Sequence, residues 1–285
     1  MDQTLAGKCA VVTGATSGIG QVVATELAKR GARAVLVGRD SARMADALAA
    51  LPAPAFGAHS AYLADLSRIT EMNRLATEIA AAEPVVDILI NNAGALIARR
   101  ELTEDGLEKT FALNHMAYFV VTLGLLDRVR AAEAGRVIVT ASRMHGMARM
   151  DFGDLQFSHH YSSTQAYARS KLCNILFTRA LARRLGPGGV TANALHPGYV
   201  ATRMGADDPS WFGRLDSWMK RFALSPQAGA QTTLHAALSE EGGRLSGAYF
   251  VKSRPVEPSA AARNDADGER LWALSAELAG ISAEV

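Results

Sequence analysis

Tyr167 and Lys171 bracket the pentapeptide YARSK. Four residues make about one helical turn, so on a helix both side chains leave from the same face. A free phenol titrates near 10, and a fixed cation beside it favours the phenolate and lowers that value. Such a tyrosine can exchange protons near neutral pH, which is general acid–base work. An isolated YxxxK is also an ordinary amphipathic pair, so the rest of the chain has to decide between the two readings.

A second stretch with chemical content is TGATSGIG, residues 13–20. Its glycines, Gly14, Gly18 and Gly20, are spaced GxxxGxG. They permit a tight turn and let backbone N–H groups approach a pyrophosphate at the start of a helix. The spacing differs from GxGxxG and from the GxxxxGK[ST] of a P-loop. Thr16, Ser17 and Ile19 share the turn and are expected to touch the cofactor. Ser17 lacks the GxSxG context of a nucleophile elbow. Some 20 residues on, a dinucleotide site presents an acid to the ribose or a cation to a 2′-phosphate. Arg39 and Asp40 stand there. Asp40 is read as the N-cap of the helix that follows and Arg39 as the partner of a 2′-phosphate, which favours NADP(H) over NAD.

These residues need elements to hold them. KCAVVTG, RAVLVGR, SAYLAD, VDILINNAG, GRVIVTAS and VTANALHPG read as strands. They are apolar throughout rather than alternating, as expected when both faces of a sheet are covered. Helical stretches such as IGQVVATELAKRG, DSARMADALAALP, RITEMNRLATEIAAA and YARSKLCNILFTRALARRL lie between them. Strand–helix alternation implies α/β architecture with a doubly wound parallel sheet and helices on both faces. SGAYFV reads as a last edge strand, GERLWALSAELAGI as a terminal helix, and FALNHMAYFVVTLGLL as a buried helix. Residues 203–224, with two tryptophans, break the pattern and read as a substrate loop. One domain, residues 1–285, is expected.

Bulk properties agree. The chain has 285 residues, 49% hydrophobic and 20% charged, with a formal net charge of +2. That charge is too weak to point to nucleic acid. Two cysteines make no disulfide framework and favour a reducing, cytoplasmic setting. No apolar run of membrane-spanning length occurs, and the N-terminus shows no signal pattern.

TGATSGIG, NNAG, the serine ending VIVTAS, YARSK and HPGYVAT occur in the order found in the short-chain dehydrogenase/reductase family, which the chain resembles over nearly its whole length. The likeness extends to the retinol dehydrogenase branch in KLCNILFTRALARRL, GAQTTLHAAL and LSGAYF. This resemblance implies a single Rossmann-type domain and a set of roles. Tyr167 would be proton donor and acceptor. Lys171 would lower the tyrosine pKa and hold the nicotinamide ribose. Ser142 would bind the substrate oxygen. Asn114 would kink its helix and hold a water. Asp65 and Leu66 would meet adenine, and Asn92, Ala93 and Gly94 would lie along the cofactor. Pro197, Gly198, Val200 and Thr202 would grip the carboxamide. Ala141 stands where many relatives have a first serine, and a long insert separates Ser142 from Tyr167.

The expected activity is hydride transfer between NADP(H) and the carbonyl or alcohol of a bulky apolar small molecule. A non-catalytic NADP-binding regulator is the alternative, and the intact Asn114, Ser142, Tyr167 and Lys171 set argues against it. The glycine spacing and short C-terminal region argue against a nucleotide-sugar epimerase. Many family members form dimers or tetramers, and no residue here decides the oligomeric state. His159 and His160, being adjacent, have no zinc-site spacing, and no metal is expected. His145 reads equally as a substrate contact or a loop strut. Met144, Met147 and Met150 read as packing, or as a pliable pocket wall.

Overall fold

β-Branched and aliphatic runs with no polar face can be satisfied only inside a sheet covered on both sides. The computed structural model describes residues 4–199 and 224–285. These runs become β1 (Cys9–Thr13), β2 (Arg33–Gly38), β3 (Ser60–Leu63), β4 (Ile88–Asn91), β5 (Arg136–Thr140), β6 (Thr191–His196), β7 (Tyr249–Val251) and β8 (Arg254–Val256). They form one sheet in the order β3-β2-β1-β4-β5-β6-β7-β8. All pairs are parallel except β7 with β8. The order reverses between β1 and β4, and ligands of such sheets bind at the strand C-termini beside that reversal.

Among the described residues the helices are α1 (Gly18–Lys29), α2 (Ser41–Ala49), α3 (Ile69–Ala82), α4 (Lys109–Phe111), α5 (Ala117–Arg130), α6 (Ser163–Leu185), α7 (Pro226–Leu238), α8 (Glu240–Arg244) and α9 (Asp265–Ala279). Successive strand residues point to opposite faces. Val11, Val35, Leu89 and Val137 accordingly meet α3, α5, α6 and α9. Ala10, Val12, Leu36 and Ile138 meet α1, α2 and α7.

Three local features matter for the site. α4 passes into α5 through a π-turn, Ala112–Met116, with Asn114 at its centre. A π-turn is a known cause of helix distortion and often marks a functional position, and Asn114, the residue expected to kink its helix, lies within it. α6 begins at Ser163, before Tyr167, and the Ser162 hydroxyl accepts from Gln165 N at 3.4 Å. SGAYFV does not end the sheet. A two-residue turn at Lys252 and Ser253 returns the chain as β8, which becomes the edge. Pro255 and its two exposed neighbours give this short strand no hydrophobic run in the sequence.

Val200, Thr202 and nearly all of the expected substrate loop lie outside the described residues. No helix among the described residues is long and apolar enough to cross a membrane.

Candidate active site

Strand β1 delivers the chain into the glycine turn at its C-terminal end. Gly14 and Gly18 have φ of 66° and 57°, a region that side chains disfavour. A Cβ on Gly14 would lie 2.9 Å from Ala93 Cα, and one on Gly20 would collide with the Gly14 carbonyl oxygen. The turn therefore lies flat against residues 92–93. Thr13 staples the two segments. Its hydroxyl accepts from Asn92 N (2.9 Å) and Ala93 N (3.0 Å), while Asn92 Nδ2 donates to Thr13 O (3.0 Å). Ser17 is the N-cap of α1, yet its side chain makes no capping bond. The first N–H groups of α1 thus keep their need for an acceptor. A cradle that a Cβ would fill, at an uncapped helix start, fits the pyrophosphate of a dinucleotide.

At the end of β2, Asp40 accepts from Arg43 N at 3.0 Å and is the N-cap of α2, as expected. Arg39 is exposed beside it. Asp65 accepts from Ser67 N (3.0 Å) and Ser67 Oγ (2.8 Å). Burial works against its charge, but these bonds prevail and hold its carboxyl below the usual range. Leu66 is buried in the core, so its side chain is not free to meet a ligand.

Beyond the ends of β4 and β5 the other residues converge. Gly94 is the hub: a Cβ there would lie 3.0 Å from Asn114 Oδ1 and 3.5 Å from Lys171 Nζ. Asn114 Oδ1 accepts from Ala95 N (2.8 Å), and its Nδ2 donates to Ala95 O (2.9 Å) and Ser170 Oγ (3.0 Å). Lys171 Nζ donates to Thr140 O at 2.9 Å, a carbonyl that Asn174 Nδ2 also reaches at 3.1 Å. Ser142 is the N-cap of a 3₁₀ turn, Arg143–Met147, and its Oγ accepts from Met144 N at 3.2 Å. The Ser142 side chain is near enough to the Tyr167 phenol to act on its pKa. The described residues of the expected set at the chemical end therefore share one site.

The electrostatics correct one expectation. Burial pushes the Tyr167 phenol up to about 12, and Ser142 only partly opposes it. Burial likewise lowers the Lys171 amine to about 7. Its nitrogen lies 5.5 Å from the Tyr167 ring centre. An amine that loses its own charge on desolvation is a weak stabiliser of phenolate, so the chain alone keeps the tyrosine protonated.

Other residues now have places. His145 is a strut. Its Nε2 accepts from Ser259 N at 3.1 Å, which leaves Nδ1 to donate to Ser142 O at 2.6 Å. Met144 and Met150 pack on the core, whereas Met147 is exposed. His159 and His160 are exposed, and His159 pairs with Asp154 at 3.2 Å. Sequence reasoning missed Thr13, Thr140, Asn174 and Tyr118. Thr13 stood inside a quoted motif, and Asn174 lies three residues after Lys171 on the same helix. Thr140 contributes a carbonyl, which any residue type could supply. Tyr118 lies one turn past Asn114 with its ring centre 5.5 Å from Lys171 Nζ.

A dinucleotide cradle at the reversal point of a doubly wound sheet, with a phenol, an amine and two polar side chains gathered beside it, belongs to an oxidoreductase that works with a nicotinamide cofactor. Residues 8–212 match the short chain dehydrogenase family, and the chain belongs to that family. It is 39% identical over 279 residues to retinol dehydrogenase 12 of Mus musculus, covering 98% of this chain and 88% of that one. Retinol dehydrogenase 13 of Homo sapiens is 37% identical, with coverages of 98% and 87%. Among solved structures, an uncharacterised protein of Mycobacterium paratuberculosis superimposes with a TM-score of 0.81 at 30% identity, covering 99% of this chain and 97% of that one. The NADP complex of Pseudomonas aeruginosa RhlG gives 0.68 at 30% identity, with coverages of 87% and 96%.

Proposed function

We propose that the chain is an NADP(H)-dependent carbonyl reductase or alcohol dehydrogenase acting on a bulky, largely apolar small molecule. The observation that carries this reading is the meeting of Asn114 and Lys171 at Gly94, with Tyr167 and Ser142 grouped beside Lys171 and the glycine turn packed on the neighbouring Ala93. The bound nicotinamide supplies the hydride chemistry. The chain supplies position and protons. Thr13, Asn92 and the glycine turn hold the dinucleotide against the strand ends. Ser142 orients the substrate oxygen. Tyr167, protonated at neutral pH by its burial, donates to that oxygen as negative charge develops there. Lys171 is anchored on Thr140 O with its amine 5.5 Å from the Tyr167 ring centre, and Asn114 is anchored on Ala95. Arg39 reads the 2′-phosphate, a role supported by the engagement of Asp40 as a cap and by relatives solved with NADP.

The deciding experiment follows NADPH oxidation over a panel of ketones and aldehydes with the wild type and Tyr167→Phe. The variant is expected to lose at least about 10²-fold in kcat while NADPH still binds. Turnover that survives the substitution removes Tyr167 from the chemistry. Tight NADPH binding with no turnover of any carbonyl would favour a cofactor-binding regulator.

A further inference from the structure

A cavity of about 570 Å³ opens at the C-terminal ends of β6 and β7. That volume lies within the roughly 300–1,000 Å³ of small-molecule pockets. Its wall includes Arg143, His196, Gly198, Gln231, Lys252 and Ser253. Arg143 and Lys252 are the basic side chains of the described lining, and no Asp or Glu belongs to it. No ion pair to Arg143 or Lys252 occurs among the described residues.

Both cations are placed by the fold. Arg143 directly follows Ser142, and its backbone N donates to His196 Nδ1 at 3.4 Å. Lys252 and Ser253 form the turn between β7 and β8 with φ of 51° and 57°. Residues with a Cβ adopt that region at a cost, which the β7–β8 pairing sustains. Burial holds the His196 imidazole down at about 4, with the Arg143 charge adding to the effect. The cavity is therefore a region of positive potential without a cationic histidine.

A buried hydroxyl lies behind the cavity wall. Tyr249 shares a strand face with Val251, a lining residue. Its hydroxyl has no hydrogen-bond partner among the described residues. Burial raises its pKa, with the Arg143 charge opposing and Tyr167 reinforcing, so it lies in the field of both. The pyrophosphate cradle, by contrast, is at the end of β1. β6 is three strands away, about 14 Å at the usual strand spacing. The Arg143 and Lys252 charges are thus left for something other than the cofactor phosphates.

We propose that this cavity receives a carboxylate carried by the substrate, so that the preferred substrates are keto acids or hydroxy acids with an apolar body rather than neutral carbonyl compounds. The inference rests on the reading of Tyr167 as proton donor and narrows its substrate class. The Arg143 guanidinium and Lys252 ammonium pair with the carboxylate.

The test compares 4-oxo-4-phenylbutanoate with its methyl ester under saturating NADPH. The acid is expected to exceed the ester in kcat/KM by about tenfold or more, about 1.4 kcal/mol, and added salt should erode that margin. In Arg143→Leu/Lys252→Ala the ratio should fall towards one through the KM of the acid, and Arg143→Lys should restore part of it. Calorimetric binding of the acid to the NADP⁺-loaded protein reads the same site without turnover. It should weaken at least tenfold in the double variant and persist in Tyr167→Phe. An ester as good as the acid, or a double variant that lowers both equally, overturns the proposal. Absent turnover with acid binding that still depends on Arg143 and Lys252 upholds the anion site and sinks the catalytic reading. Neither turnover nor binding of the acid overturns the anion site.

Discussion

Lys171 illustrates a conflict between stability and chemistry. Its amine is buried, donates to a backbone carbonyl and has its pKa held down to about 7 by desolvation. The unfolded chain holds that proton up to about 10.4. Between these values the unfolded state binds more protons, so this residue's contribution to stability rises as pH increases from 7 and is least favourable below 7. Lys171→Met should therefore raise unfolding free energy at neutral pH by roughly 1–3 kcal/mol, as when buried charges are replaced by apolar groups, while kcat collapses. A thermal melt beside a turnover assay checks both, and a lower melting temperature would mean that the amine is a net structural asset. At the adenine end, Arg39→Asp should shift preference from NADP towards NAD by about tenfold or more, the loss of a charge-assisted phosphate contact. Unchanged preference would place recognition of the 2′-phosphate elsewhere. The motifs naming both residues were legible in the sequence because YxxxK and the residue after β2 are local features. The sense of the tyrosine shift was not, because it depends on how completely α6 is buried.

At the scale of elements, the glycine turn and the NNAG segment work as one piece. Gly20 faces the Gly14 carbonyl and Asn92, with no room for a methyl group. Gly20→Ala should cost about 1–3 kcal/mol, the usual penalty of overpacking, and weaken NADPH binding at least tenfold. Denaturant unfolding and a fluorescence titration read the two effects. Intact binding in a destabilised variant would separate the turn's packing from its role as a cradle. The π-turn at Asn114 is a second working element. The sequence offered the asparagine inside a buried apolar helix, but the bonds of its amide to Ala95 and Ser170 join three segments distant in sequence. The β7–β8 hairpin was underestimated for a related reason. Its turn carries Lys252 and Ser253 rather than the Asn-Gly that usually announces such a turn.

For the whole molecule, α9 closes one face of the sheet. Trp272 stacks on Phe177 at 5.8 Å and meets Phe119 edge-on at 5.0 Å. His115 lies in the same cluster, its Nε2 2.9 Å from Ser275 Oγ on α9. Burial lowers its pKa to about 3, against about 6.5 when unfolded. The native state keeps this imidazole neutral, so stability is intact above about 6.5 and is lost as pH falls towards 3. The expected loss is about 2 kcal/mol between pH 6.5 and 5 from this residue alone. Burial of His145 and His196 acts in the same direction. Urea unfolding at pH 7 and pH 5 should show the drop, and His115→Phe should make it shallower. Equal stability at both values would show that the imidazole is protonated inside the fold.

Taken alone, the residues determine the α/β alternation, the glycine turn, the helix that carries Tyr167 and Lys171, and the cap at Asp40. Each of these follows from spacing over a few residues, where backbone geometry is local. The tertiary structure alone decided that Thr140 O anchors Lys171, that His145 braces Ser142 against Ser259, and that the phenol is pushed up rather than down. It also brought Arg143 and Lys252 to one cavity from turns far apart in the chain. Those outcomes depend on desolvation and on contacts between distant segments, and both exist only once the sheet has assembled.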